Sequence, residues 1–165
     1  MNKLYLTLLS LVLCFSVAFT VSASEPVSKS FFGGVAIGDR DTVRYGEIFA
    51  ATGNRKIENP LPSEKGKSKY MVVWKGASWY FTSQRTKDLF EANPEKYAPV
   101  FNGYCANALS IGEGLVGTDG EHWEIFGDNL FQFYSEGGRK RWATGDWKKY
   151  EVEARKAWAE LTAGK

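Results

Sequence analysis

The chain is poor in the residues that staple a fold or carry out catalysis. Its 165 residues include two cysteines, Cys14 and Cys105, and a single histidine, His122. Charge of either sign is nearly balanced, with 21 Lys and Arg against 19 Asp and Glu and a formal net charge of +2, which argues against nucleic acid or another polyanion as partner. Long apolar runs are missing except for Leu4 to Val21, which follows Met1-Asn2-Lys3 and closes on Val21-Ser22-Ala23. A short basic start, an apolar stretch and small residues at a cut are the three parts of a secretory signal. Residues 1–23 are therefore expected to be a cleaved signal peptide, with a retained anchor or a lipidated Cys14 as the alternatives. The small residues at 21–23 argue for cleavage, and the protein is then periplasmic or secreted with no transmembrane span left. Removing 23 of 165 residues leaves 142, residues 24–165, the size of one domain. With Cys14 lost alongside the signal, Cys105 has no partner for an intramolecular disulfide. The sequence also has no nucleophile elbow, phosphate-binding glycine loop or zinc-protease helix, so no enzyme is expected.

Aromatic residues are what the chain has in quantity, 15% of the total, and all six tryptophans follow residue 23. Each can bury on the order of 150–250 Å², enough for a compact core without disulfides. Residues 24–30 read as a flexible lead-in, 33–49 as a short strand or loop, and 51–68 as a loop rich in Gly, Asn, Pro, Lys and Ser. Tyr70–Trp74 and Ala77–Phe81, separated by Lys75-Gly76, read as a β-hairpin. Thr82 or Ser83 is placed to cap a helix from Gln84 to Ala92, stopped by Asn93-Pro94. Trp123–Phe126 and Leu130–Tyr134 flank Gly127-Asp128-Asn129 as a second hairpin with a three-residue loop. A helix capped by Ser135 follows, broken early by Gly137-Gly138, and Lys148–Leu161 closes the chain as an amphipathic helix with Tyr150, Ala154, Ala157, Trp158 and Leu161 on one side. Strands and helices are grouped rather than alternating, so the expected class is α+β, a small single domain of two antiparallel hairpins packed against short helices and a C-terminal helix.

Trp74-Lys75-Gly76-Ala77-Ser78-Trp79-Tyr80-Phe81-Thr82-Ser83, then Asp88 to Pro99, then Asn102-Gly103-Tyr104-Cys105-Ala106, resemble the YHS domain family in order and composition. The chain is more closely similar to the exported bacterial YHS domain-containing proteins, with the central match over about residues 69–110. That resemblance implies a fold and an association with metal handling through cysteine, and no settled reaction. The chain departs from the family pattern at Gly38-Asp39-Arg40-Asp41-Thr42-Val43-Arg44-Tyr45, where Gly-Tyr-Asp-Pro-Val-Ala-Tyr is usual. It departs again at Asn102, where a glycine is usual, and a histidine common before the first hairpin is absent.

The candidate chemistry is sparse. Cys105 as thiolate is a soft ligand for Cu(I) or Zn(II), and His122 and Met71 would complete a copper set if the fold gathered them. The competing reading of Cys105 is a packed thiol, since free cysteine behaves as a small hydrophobe; that of His122 is a surface side chain. Trp79, Phe81, Phe131 and Phe133 alternate along the two hairpins and so share faces pairwise. With Tyr104 they form either core or the wall of a small-ligand pocket. Asp39 and Asp41, alternating with Arg40, read as a solvated loop. Arg139-Lys140-Arg141 with Lys148-Lys149 reads as a solvated helix face, or as one lying on anionic lipid. Three functions follow in order: a non-catalytic, copper-handling envelope protein; a small-ligand or protein-interaction module without metal; and a thiol-dependent redox enzyme that would need a partner thiol. The oligomeric state stays open.

Overall fold

The computed structural model of the chain describes residues 25–52 and 62–163; the expected signal peptide, Cys14 and the middle of the 51–68 loop lie outside them. The described residues form an α+β domain with two two-stranded antiparallel sheets, β1 (Lys67–Trp74) with β2 (Ala77–Phe81) and β3 (His122–Phe126) with β4 (Asn129–Phe133). Six helices accompany them among the described residues: α1 (Thr42–Thr52), α2 (Gln84–Ala92), α3 (Pro94–Tyr97), α4 (Ala106–Ser110), α5 (Glu136–Thr144) and the C-terminal α6 (Trp147–Thr162).

Local chemistry sets most of these boundaries. Lys75 and Gly76 both take positive φ, 47° and 69°, the geometry that lets a two-residue turn join twisted strands. Ser83 Oγ accepts from Thr86 N at 3.2 Å while Thr86 Oγ1 accepts from Ser83 N at 3.3 Å, a reciprocal cap that starts α2. Ser135 caps α5 with a one-way bond from Gly138 N to its Oγ, and Asp146 caps α6 through Lys149 N.

The second half of the chain repeats the first. Trp74, Trp79, Phe81 and Phe90 recur 52 residues later as Phe126, Phe131, Phe133 and Trp142, and Ser83 recurs as Ser135. In the first unit Phe90 of α2 packs on Trp79, Phe81 and Trp74, with ring centroids 5.1, 4.9 and 5.7 Å away. In the second, Trp142 of α5 packs on Phe131, Phe133 and Phe126 at 5.2, 5.6 and 5.9 Å. One hydrophobic cluster surrounds each hairpin, and a third, built on Tyr45, Trp123 and Leu130, joins α1 of the first unit to the second hairpin. Tyr45 stacks obliquely on Trp123 at 4.8 Å and donates its hydroxyl to Gly120 O at 2.6 Å. Glu25 adds a polar link, taking Lys75 Nζ at 2.8 Å from one unit and Trp158 Nε1 at 3.3 Å from the other.

Several local expectations are corrected. The lead-in is ordered: Val27 and Ser28 are buried, and Ser28 N donates to Asn102 O. Residues 42–52 are helical despite their β-prone Val, Tyr, Ile and Phe, because a side chain caps the helix start. The second hairpin turns over two residues, since Asn129 is already paired with Phe126. Gly137 and Gly138 do not break α5; a β-carbon at Gly138 would come within 3.1 Å of Asn107, so this helix lies close to its neighbour there. Asp41 is fully buried rather than solvated. Arg139 is also fully buried, its guanidinium bound by Glu136 at 2.6 and 2.8 Å and by Glu124 at 2.7 Å, so the basic run is not one solvated face.

These ion pairs set an acid limit on stability. The Arg139 hydrogen bonds hold the Glu136 carboxyl below the usual carboxylate range, and Arg44 and Lys75 do the same for Glu64 and Glu25. A folded pKa below the unfolded one means that the unfolded chain binds more protons in that window. The stabilisation is therefore present above the ordinary carboxylate pKa and lost as pH falls through the folded values. Urea unfolding should give a midpoint that is flat between about pH 7 and pH 5 and falls steeply below about pH 4; a midpoint unchanged down to about pH 3 would contradict these pairings.

Candidate functional site

Cys105 is buried, 3% exposed, and its sulfur is engaged twice. Sγ accepts from Ala108 N at 3.4 Å, capping α4, and from Tyr134 N at 3.2 Å, fastening the residue that follows β4. Asp41 has the same two duties in the first unit. Its Oδ1 accepts from Val43 N at 3.0 Å and Arg44 N at 3.4 Å at the start of α1, and its Oδ2 accepts from Thr82 N and Thr82 Oγ1, both at 2.8 Å, just past β2. The backbone around them matches too. Asp41 N donates to Glu64 O and Cys105 N to Val116 O, while Arg40 bridges Lys65 and Tyr104 bridges Gly117. Left-handed residues precede both, Gly38 and Asp39 at φ 56° and 65°, Asn102 and Gly103 at 48° and 87°. Glycine is required at 38, where a β-carbon would sit 2.3 Å from Asp119 O. Cys105 and Asp41 are thus the same position of a duplicated unit, each a helix cap and a hairpin clamp at once.

The other proposed copper ligands stand apart. Cys105 runs beside β4 at Gln132, whereas His122 pairs with Phe133 from β3 on the other edge of that strand. The His122 ring turns toward Glu136, with Nδ1 3.6 Å from Oε2. Met71 lies on the outer face of the first sheet, 40% exposed, opposite Tyr80. Among the described residues no three His, Cys, Asp or Glu side chains gather in a way that could hold a metal ion.

Of the aromatic set, Trp79, Phe81, Phe131 and Phe133 are buried in the two hairpin clusters and Tyr104 packs against the second, 5.9 Å from Trp158. An apolar concavity lies elsewhere, between the units. It holds about 610 Å³ and is walled by Val43, Gly46, Phe49 and Ala50 of α1, Leu89 of α2, and Ile125 and Leu130 of the second hairpin, with Glu47, Lys96 and Asp128 also in its lining. Glu47 is neutralised by Arg44 and by Arg85 at 2.7 Å. Burial alone would raise its pKa, and the two arginines outweigh that and hold it low.

The first hairpin, α2 and α3 fall within the segment that decides the family comparison. Residues 59–100 match the family model of the YHS domain. The match supports the YHS family for the first unit, and it stops before Cys105. No curated protein and no solved structure matches the chain. The second hairpin, with α5 and α6, repeats the geometry of the YHS segment outside the matched residues.

The sequence placed Asp41 in a solvated loop and Arg139 on a solvated helix face, where the structure buries both, and it gave no expectation of the cleft. A signal for the cleft was present: Val43, Gly46, Glu47 and Ala50 follow the i, i+3, i+4, i+7 spacing of one helix face. The clamp assignment ranks three substitutions by urea denaturation. Asp41→Ala strands Val43 N, Thr82 N and the Thr82 hydroxyl, while Arg44 N keeps the Asp41 carbonyl at 3.2 Å, and it should cost about 3 kcal/mol. Cys105→Ala strands two backbone donors and should cost about 1–2 kcal/mol. Cys105→Ser, which restores an acceptor, should lie closer to wild type than Cys105→Ala; equal stability of Cys105→Ala and wild type would remove the clamp role.

Proposed function

We propose that the protein is an exported, non-catalytic binding module of the cell envelope that takes a small apolar or amphipathic ligand in the cleft between its two units. The observation that carries this reading is the cleft itself. Its volume of about 610 Å³ falls in the range of small-ligand sites, and its walls are mainly aliphatic and aromatic with three charged side chains, Glu47, Lys96 and Asp128, among them. A ligand with an apolar body and a small polar group fits that lining. Such a ligand would touch α1, α2 and the second hairpin together, so binding would stabilise the joint between the units.

A second reading, copper handling, is favoured by the YHS match over residues 59–100 and by the free Cys105 thiol. Against it stand the separation of His122 and Met71 from Cys105 and the engagement of the sulfur by two backbone donors.

One pair of titrations separates them. Anilinonaphthalene sulfonate, an apolar fluorophore with a single anionic group, should bind saturably and one to one. Gly46→Phe should abolish that binding without unfolding the protein, because nothing lies within 4 Å of a β-carbon at position 46 and helix propensity rises when glycine is replaced. Unaltered dye binding in Gly46→Phe would place the ligand elsewhere. Reduced protein titrated with Cu(I) against a chelator should show no tight one-to-one complex. Tight binding lost in both Cys105→Ala and His122→Ala would replace the ligand reading with copper handling.

A further inference from the structure

The turn that follows Lys29 carries the two most exposed large apolar side chains among the described residues. Phe31 is 94% exposed and Phe32 85%, and their rings meet edge to face at 5.0 Å. The turn that presents them is built. Ser30 N donates to Val35 O at 2.8 Å, Val35 N to Ser30 Oγ at 3.1 Å, and Ser30 Oγ to Phe32 O at 2.6 Å. Beyond it Ala36 N and Ser78 N bond to Ser78 O and Gly34 O, which adds this segment to the free edge of β2. Lys29 Nζ reaches Gly76 O at 2.8 Å, so the two rings stand beside the first hairpin's turn. Val73, 67% exposed, and Met71 are further exposed apolar side chains, on the outer face of that sheet.

The two chain segments that build this surface are rich in lysine. Residues 25–39 and 65–81 carry Lys29, Lys65, Lys67, Lys69 and Lys75 against Glu25 and Asp39, an excess of three positive charges where the entire chain has a net charge of +2. Glu25 and Asp39 are paired with Lys75 and Lys65, whereas Lys67 and Lys69 enter no ion pair among the described residues. Exposed aromatic rings with flanking lysines match the interfacial layer of an anionic membrane, where rings enter the headgroup–acyl boundary and ammonium groups meet lipid phosphates. In the sequence the apolar run ending at Val21 lies ten residues before Phe31, so export would release the chain at a membrane beside this turn. We propose that the Phe31–Phe32 turn and the outer face of the first hairpin form a docking surface for an anionic lipid bilayer.

The test uses the chain from Ser24 onward, which carries every element described above, in co-sedimentation with phosphatidylcholine vesicles made with and without phosphatidylglycerol. Binding should require phosphatidylglycerol, weaken with added salt, and fall by about tenfold or more in Phe31→Ser/Phe32→Ser. Lys67→Glu/Lys69→Glu should weaken it while leaving the thermal unfolding transition in place. Equal binding of the phenylalanine variant, binding that ignores phosphatidylglycerol, or no binding to either vesicle would each overturn the proposal. Concentration-dependent self-association that disappears in Phe31→Ser/Phe32→Ser, without vesicle binding, would overturn it in favour of a second copy of the chain.

Discussion

An acceptor side chain buried at a helix start, and shared with the end of a hairpin, is the constraint on which both halves of this protein depend. The first amides of a helix have no partner inside the helix, and an amide just past a strand has none in the sheet. Asp41 and Cys105 each satisfy both sets with one side chain, tying Thr82 to α1 and Tyr134 to α4. The carboxylate, with two oxygens and a charge, does this with shorter contacts than sulfur, a weak acceptor. In return the thiol needs no charged group inside the second unit, where Arg139 is already buried with Glu124 and paired with the partly exposed Glu136.

With both ends held, each hairpin presents alternate aromatic residues to its helix, and the two cores can differ in detail while keeping one geometry. Phenylalanine and tryptophan exchange places between the units, Phe90 for Trp142 and Trp79 for Phe131, while an aromatic ring is kept at each of the four positions. The units then meet through Tyr45 and Trp123. Because α1 has eleven residues and its counterpart α4 has five, the joint is asymmetric. The longer helix reaches over the second hairpin and leaves the apolar cleft along its flank. The function proposed for the cleft is thus a consequence of where the repeat departs from itself.

The first hairpin and the helix after it were legible in the sequence because their signals are local: a Lys-Gly turn, a serine cap, a proline after asparagine. The C-terminal helix was legible from its apolar spacing. The helix α1 was not, since Val43, Tyr45, Ile48 and Phe49 suit a strand equally well and the capping Asp41 is hidden among alternating charges. Its partner Thr82 lies 41 residues away, and Tyr134 lies 29 from Cys105. Contacts of that separation leave no periodic trace. The duplication was obscured for a related reason: aromatic character persists between the units while residue identity changes. Cys105 stood out by its rarity, which marked the position as unusual and said nothing of the backbone donors that engage it.

The most direct test of the claim that Cys105 is a buried clamp is the rate at which its thiol reacts with a colourless aromatic disulfide reagent in the native protein. Labelling should be negligible in the folded state and should follow the unfolding rate as urea is added. Rapid, stoichiometric labelling of the native protein without denaturant would contradict it and return Cys105 to the list of accessible ligands.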